Sequence, residues 1–274
     1  MLEWIKDDHS VSRKDKDEGP NSYWLMFMEL CAGGDLLHYL RRRRRLDEKI
    51  AKLFMRQIFQ GLGYLHSKGI IHRDIKLENV LLNNLGEIKI ADFGVSVLKK
   101  EDGIKDCSGT PAYMSPEVIE VGEKKAAMAK QKGAKAKNAV KDSIVGYGEE
   151  CDVWSAGVLM YALIYGNMPF RGVTVREIKE KVKKGDYLKK DTVTDEARDL
   201  ISKILKRTED GRITVKEVLE HPWFDDCPDK EKIFNQNEEV NMIKEYLYCE
   251  SSEKWGNLVD CHKAEKKEFL NWDI

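Results

Sequence analysis

Residues 72–79 read HRDIKLEN, and DFG follows at 92–94. One short stretch thus carries Asp74 and Asn79 with Lys76 between them, and Asp92 stands on the next turn. That set meets the needs of phosphoryl transfer: a carboxylate to take a hydroxyl proton, a cation facing the transferring phosphate, and two oxygen ligands for magnesium. Isolated HRD or DFG triplets arise by chance. Both together at this separation, across a predicted strand–turn–strand, very rarely do. The competing reading is an ordinary polar turn.

Such a loop needs elements to hold it. A hairpin, VLL–NNLGE–IKIA, is predicted to carry the chain from Asn79 to Asp92. Upstream, Asp47 can cap a helix whose apolar positions Ile50, Leu53, Phe54, Ile58, Leu62 and Leu65 keep one face, with Gly69 at its left-handed close. YWLMFMEL, 23–30, is an apolar run of strand length, and residues 2–5 read as a second strand beyond a polar connection, 7–22. Leu36–Leu40 opens a short helix running into five arginines, 41–45, which read as a solvated helix end in preference to an import signal. Downstream, 152–165 reads as a buried helix too short to span a bilayer, followed by helices at Val175–Lys184 and from Thr194 to Phe224. An insert at 120–147 intervenes. Its part 120–142 sets seven Lys against three acids and shows no apolar stripe, so it reads as a surface excursion, flexible or partly helical. The tail, 225–274, holds one amphipathic helix at roughly Asn237–Tyr248.

Composition narrows the class. The 274 residues carry 47 Lys and Arg against 48 Asp and Glu, so no global field argues for nucleic acid or a membrane surface. The charged fraction, 35%, and the hydrophobic fraction, 42%, describe a soluble globular protein able to bury a full core. Six scattered Cys without CxxC spacing point to a reducing compartment. The start, MLEWIKDDHS, lacks the basic and apolar regions of a secretory signal, so a cytoplasmic location is expected, with the nucleus as the alternative.

From about residue 23 to Phe224 the motif order resembles the large lobe of a eukaryotic Ser/Thr protein kinase and the hinge leading into it. HRDIKLEN and DFG carry the resemblance. FMELCAGGDL is similar to the hinge and the first lobe helix, and SGTPAYMSPE to the end of an activation segment, with Ser115 where the family usually has Ala. DVWSAGVLMY resembles the central buried helix and DGRITVKEVLEHPWF the closing helices. GGDL, YGNMPF and HPWF are most similar to the calcium/calmodulin-dependent and AMP-activated kinase group. The implied fold is α/β (α+β) and kinase-like. A remnant of the small lobe's sheet (LEWI and YWLMFMEL, its fourth and fifth strands) and the hinge span 1–30, the large lobe spans 31–224, and the tail 225–274.

The resemblance implies ATP and Mg2+ as cofactors and proteins as acceptors. It makes Asp74 the base that takes or orients the acceptor proton, and Lys76 the cation at the γ-phosphate, a Lys there pointing to Ser or Thr acceptors. Asn79 and Asp92 would share Mg2+. The backbone of Glu29 and Cys31 would meet the adenine edge, Leu81 would floor it, Asp35 would reach the ribose, and Met28 would control the back pocket. For these apolar strand positions the plain alternative is core packing. His72 and Phe93 are expected in a hydrophobic stack, Glu117 and Arg212 in a buried ion pair, and Asp152 holding the catalytic-loop backbone.

Many relatives carry a phosphate three residues before the Gly of the GTP triplet, facing the Arg of HRD. Counting back from Gly109 reaches Asp106, so Asp106 is expected to pair with Arg73 and order the activation segment without phosphate there. A solvated acid beside Lys105 is the alternative. Thr110 is expected to contact Asp74 and Lys76, and Ser108 is a candidate phosphosite. Glu78 and Asp35 match positions that meet basic residues upstream of the acceptor. Ala162 stands where some such kinases have another acid, so the expected preference for basic residues is modest.

One departure is large. No GxGxxG loop and no VAIK-like strand precede the hinge, and the GLG at 61–63 falls inside a helix. Two readings follow: a Mg-ATP-dependent protein Ser/Thr kinase whose beginning is lost from this chain, or a catalytically silent kinase-like interaction module. Catalysis needs the phosphates clamped from above as well as below, so negligible activity is expected of these 274 residues alone. The intact base and magnesium residues favour the first reading. Binding of nucleic acid and membrane insertion are not expected, and the tail is the candidate docking segment for a regulatory partner.

Overall fold

The computed structural model of the chain describes residues 3–6, 24–83, 85–130, 143–188 and 191–228. The polar connection 7–22, the middle of the Lys/Ala-rich stretch and the expected helix near 237–248 lie outside those residues. The chain divides into two units, Met1–Cys31 and Ala32–Ile274. In the first, β1 (Glu3–Lys6) and β2 (Trp24–Phe27) pair antiparallel, with Glu3 opposite Phe27 and Lys6 opposite Trp24.

The second unit is mostly helical. Asp35 caps α1 (Leu36–Arg43) by accepting from His38 N at 2.7 Å, and the last turn of that helix carries Arg41, Arg42 and Arg43, where cations suit the dipole. Asp47 caps α2 (Glu48–Ser67) through Lys49 N at 2.8 Å. The apolar stripe of α2 buries Phe54, Ile58 and Leu62, and Gly69 follows the helix at φ 69°. A short ladder joins β3 (Ile70–Ile71) to β6 (Val97–Leu98). The expected hairpin forms from β4 (Val80–Leu82) and β5 (Ile88–Ile90), Val80 facing Ile90.

Next comes α3 (Pro116–Lys130), then α4 (Glu150–Tyr165), whose residues from Cys151 to Tyr165 are all buried. A helix that is apolar all round has no face for water, so it becomes the axis of the core. α5 (Val175–Lys184), α6 (Asp195–Ile204) and α7 (Val215–Leu219) close the unit, each with a Thr N-cap. α2 and α6 pack on α4, and α7 packs on α2. Among the described residues no helix is long and apolar enough to cross a membrane.

The stretch 120–142, read as a surface excursion that is flexible or partly helical, is helical where it is described, with buried apolar residues at its start and just past its end. Residues up to Lys130 continue α3, with Val121 buried, and Ile144 and Tyr147 are buried on the return. The signal that composition hid was the spacing: single apolar residues at the two ends anchor the stretch, whereas a stripe was sought through its middle.

Candidate active site

The stretch after β3 is held by the core helix beneath it. Asp152, in the first turn of α4 and fully buried, accepts from the backbone N–H of His72 and of Arg73, both at 2.8 Å. His66 from the end of α2 adds a contact to the same carboxylate at 2.9 Å. These bonds hold Arg73 at φ 68°, a left-handed conformation that a non-glycine residue keeps only when its surroundings enforce it. His72 accepts at Nδ1 from Asp74 N at 3.3 Å, which leaves Nε2 to donate to Ala91 O at 3.0 Å. Its ring meets Phe93 edge-on at 5.0 Å, and Phe93 is itself exposed, so the two touch without forming the buried stack that the resemblance implies.

Asp74 is the centre of the loop. Lys76 Nζ donates to Oδ2 at 2.7 Å, while Thr110 donates to Oδ1 from both its backbone N and its hydroxyl at 2.8 Å. Lys76 also reaches Thr110 Oγ1 at 3.0 Å. Burial works against the Asp74 charge, but the bonds from Lys76 and Thr110 outweigh it and hold the carboxyl below its usual pKa. Asp74 is therefore ionised at neutral pH and suited to accept and orient a hydroxyl.

Asn79 ends a 3₁₀ turn, Leu77–Asn79, and donates its amide to Asp74 O at 2.9 Å and to Asp74 Oδ2 at 3.2 Å. With both donations directed at Asp74, the carbonyl oxygen of that side chain is its remaining polar end. Ala91 N donates to Asn79 O at 2.9 Å, tying the end of the hairpin to the loop. Asp92 follows at φ 63° with an exposed side chain, its Oδ1 accepting from Gly94 N at 3.2 Å. The donor set, one amide oxygen and one solvent-facing carboxylate, is all oxygen. It fits Mg2+, which keeps several waters and takes one or two protein ligands beside phosphates. Among the described residues no three His, Cys, Asp or Glu side chains converge as a closed metal cage.

The activation segment crosses directly over this loop. A Cβ on Gly109, at φ 113°, would stand 2.5 Å from Arg73 O, so only glycine allows the approach that brings Thr110 onto Asp74. Arg73 donates from Nη1 to Asp106 Oδ2 at 2.8 Å and from Nε to Val95 O at 2.6 Å. Burial opposes the Arg73 charge, and the bonds to Asp106 and Tyr147 more than offset it, keeping the guanidinium pKa above its usual value. Tyr147 donates its hydroxyl to Asp106 O at 2.8 Å.

Glu117 and Arg212 form a two-pronged pair, Nη1 to Oε1 at 2.6 Å and Nη2 to Oε2 at 3.0 Å. Arg212 also donates to Glu150 O and Lys206 O and lies 5.0 Å over the Trp154 ring, so its charge is fully satisfied in the core. Ser115 is fully buried, and its hydroxyl has no partner among the described residues.

A cavity of about 190 Å3 is lined by Leu37, Leu40, Thr110, Tyr113, Phe170 and Glu78. Glu78 Oε2 is buried there without a partner. Desolvation raises its pKa, helped by Asp35 and Asp74, with its own backbone N–H and Lys76 opposing. Of the residues expected at the nucleotide, Asp35 is the cap of α1 and bridges Leu81 of β4. Glu29 and Cys31 belong to the first unit, where Glu29 and Met28 are exposed and Cys31 is half-buried. The loop, hairpin and activation segment thus bring together Asp74, Lys76, Asn79, Thr110, Arg73 and Asp106. Sequence reasoning missed His66, Val95 and Tyr147 as supports. The left-handed φ of Arg73 also carried no local signal, because its bond to Asp152 comes from the distant core helix.

Comparison with known proteins matches the family model described as "Protein kinase domain" to residues 9–224. A probable serine/threonine-protein kinase of Dictyostelium discoideum is 35% identical over 227 residues, 82% of this chain and 24% of that protein. An SNF1-related protein kinase catalytic subunit alpha of Arabidopsis thaliana is 34% identical over 225 residues, 82% of this chain and 41% of that protein. The human NUAK family SNF1-like kinase 1 is 35% identical over 200 residues, 73% of this chain and 27% of that protein. The chain spans between about a quarter and two fifths of the length of these relatives. With the match running from ahead of the hinge through the loop, activation segment and closing helices, the chain belongs to the protein kinase family, alongside serine/threonine kinases of the SNF1-related kind.

Proposed function

We propose that this chain carries the catalytic loop of a Mg-ATP-dependent protein serine/threonine kinase. The observation that carries this reading is the ionised Asp74 carboxylate, held by Lys76 and by the Thr110 of the activation segment. Asp74 accepts the hydrogen bond of an incoming Ser or Thr hydroxyl and takes its proton as the bond to phosphorus forms. Lys76 sits beside that oxygen and neutralises charge on the transferring group. Asn79 and Asp92 would hold Mg2+, which would offset negative charge on the phosphates when bound. Within the second unit, Asp35 and Leu81 serve the nucleotide.

Asp106 stands in for an activating phosphate by pairing with Arg73, supplying about one negative charge where a phosphate supplies about two. The substrate preference is for basic residues upstream of the acceptor. The unpartnered Glu78 oxygen in its apolar cavity suits a guanidinium, and Ala162 in place of a second acid keeps the preference modest. Thiols at Cys31, Cys107, Cys151 and Cys227 suit the reducing cytoplasm or nucleus.

The test is transfer of labelled phosphate to a Ser peptide with Arg upstream. It is run with the 274-residue chain and with a fusion that sets a Gly-rich loop and phosphate-anchoring Lys of the family pattern ahead of Ala32. Mg2+-dependent labelling by the fusion, lost in its Asp92→Asn variant, is the expected outcome. A fusion that binds ATP and labels no peptide, or labels it equally well with Asp92→Asn, overturns the reading.

A further inference from the structure

Segment 143–147 returns from the Lys/Ala-rich stretch and runs antiparallel to the activation segment. Ile104 N donates to Tyr147 O at 2.8 Å, and Tyr147 N donates to Ile104 O at 3.1 Å. The two backbones touch where Gly103 meets Gly146. A Cβ on Gly146 would stand 2.4 Å from Asp102 O, and one on Gly103 would stand 2.6 Å from the Gly146 carbonyl carbon. Nothing larger than glycine allows this crossing.

A second contact binds the near end of the same stretch. A Cβ on Gly122 of α3 would stand 2.7 Å from Cys107 Sγ, so α3 lies against the segment just after Asp106. Lys124 of α3 donates to Ser143 O at 3.0 Å and ties the two ends of the excursion to each other. Both legs therefore grip the activation segment, one at Ile104–Asp106 and one at Cys107.

Tyr147 is the pivot of that grip. It is 1% exposed, and its hydroxyl donates to the main-chain carbonyl of Asp106, the residue whose carboxylate meets Arg73. Burial raises the Tyr147 pKa, with the neighbouring Arg73 guanidinium opposing, so the phenol keeps the proton it donates. The hydroxyl fixes the backbone of Asp106 while Arg73 fixes its side chain. Arg73 in turn adjoins Asp74 in the catalytic loop, and its carbonyl is what Gly109 packs on.

We infer that Tyr147 is a positioning residue of the phosphotransfer centre: its hydroxyl locks the Asp106 backbone so that the Arg73–Asp106 pair forms, and the returning leg of the 120–147 excursion thereby sets the order of the activation segment. This rests on the kinase reading for its consequence in catalysis, and on geometry alone for the locking itself.

The test is Tyr147→Phe in the full 274-residue chain, which removes one oxygen and keeps the ring. Tyr161→Phe is the control, since Tyr161 likewise donates to a carbonyl, Leu188 O, at 2.8 Å away from the segment. Amide exchange over 104–110 is expected to speed up about tenfold in Tyr147→Phe and to stay unchanged in Tyr161→Phe, with α2 amides constant in both. In the fusion, Tyr147→Phe is expected to lower kcat about tenfold with KM for ATP within about twofold, and to have little further effect once Asp106→Asn is present. Exchange over 104–110 equal in the two Phe variants overturns the inference. So does a uniform rise that includes α2, because Tyr147 would then be a core residue only. If no fusion transfers phosphate, the exchange result still decides the locking, and the kinase reading fails separately.

Discussion

At the residue scale, two carboxylates near the same loop are driven in opposite directions. Asp74 is held below its ordinary pKa by Lys76 and Thr110, whereas burial pushes Glu78 up. As pH falls, Glu78 takes its proton first and loses its attraction for a guanidinium while Asp74 is still ionised. The expected outcome is that KM for an Arg-bearing peptide rises on the acid side before kcat drops. Glu78→Gln should remove both the Arg preference and this early rise; steady-state kinetics of Arg and Ala peptides from pH 5 to 8 check it, and an unchanged Arg preference in Glu78→Gln counts against the assignment. The identities of Asp74, Lys76, Asn79 and Asp92 were readable from HRDIKLEN and DFG because chemistry fixes those residue types at that spacing. The contact of Thr110 with Asp74 and Lys76 was expected from the family resemblance alone, since Thr110 reaches Asp74 by a crossing of the chain at Gly109 that leaves no local signal.

At the element scale, the helices other than α3 were readable, and the contacts between loops were not. Caps at Asp47, Thr174 and Thr194, and the apolar stripe of α2, mark helix starts and faces locally. α4 declares itself by its long apolar run from Val153 to Tyr165. The return at Ile144–Tyr147 is too short for a periodic pattern, so its pairing with the activation segment was hidden. That segment is where Asp106 acts. Asp106→Asn keeps the shape and removes the charge, and it is expected to raise exchange over 104–110 and to reduce phosphotransfer by the fusion. Asp106→Thr, with its β-branched hydroxyl, is expected to do the same until phosphorylated. An Asn variant with full activity and unchanged exchange shows that the acid is not a built-in switch.

At the scale of the whole molecule, the closing helices are tied to the activation segment through the Glu117–Arg212 pair, and the acids around it give the fold a pH signature. Glu209 is half-buried, and burial together with Glu117 and Glu150 raises its pKa to about 7. A folded pKa above the unfolded one contributes stability that is fully present below the unfolded value and is lost as pH rises through about 7. Glu209→Gln, which is always neutral, is expected to raise the melting temperature at pH 8 and change it little at pH 5; equal shifts at both values contradict this. Beyond stability, the proposed chemistry depends on the loop that the core helix supports through Asp152. It is tested by single-turnover transfer from Mg-ATP to a Ser peptide in the fusion and in its Asp74→Asn variant, with nucleotide affinity measured on both. The expected result is a transfer rate lower by about 100-fold to 10,000-fold in Asp74→Asn at nearly constant affinity for Mg-ATP, because a base that orients the acceptor acts on the chemical step. A variant that transfers phosphate as fast as the parent would show that Asp74 is not the base.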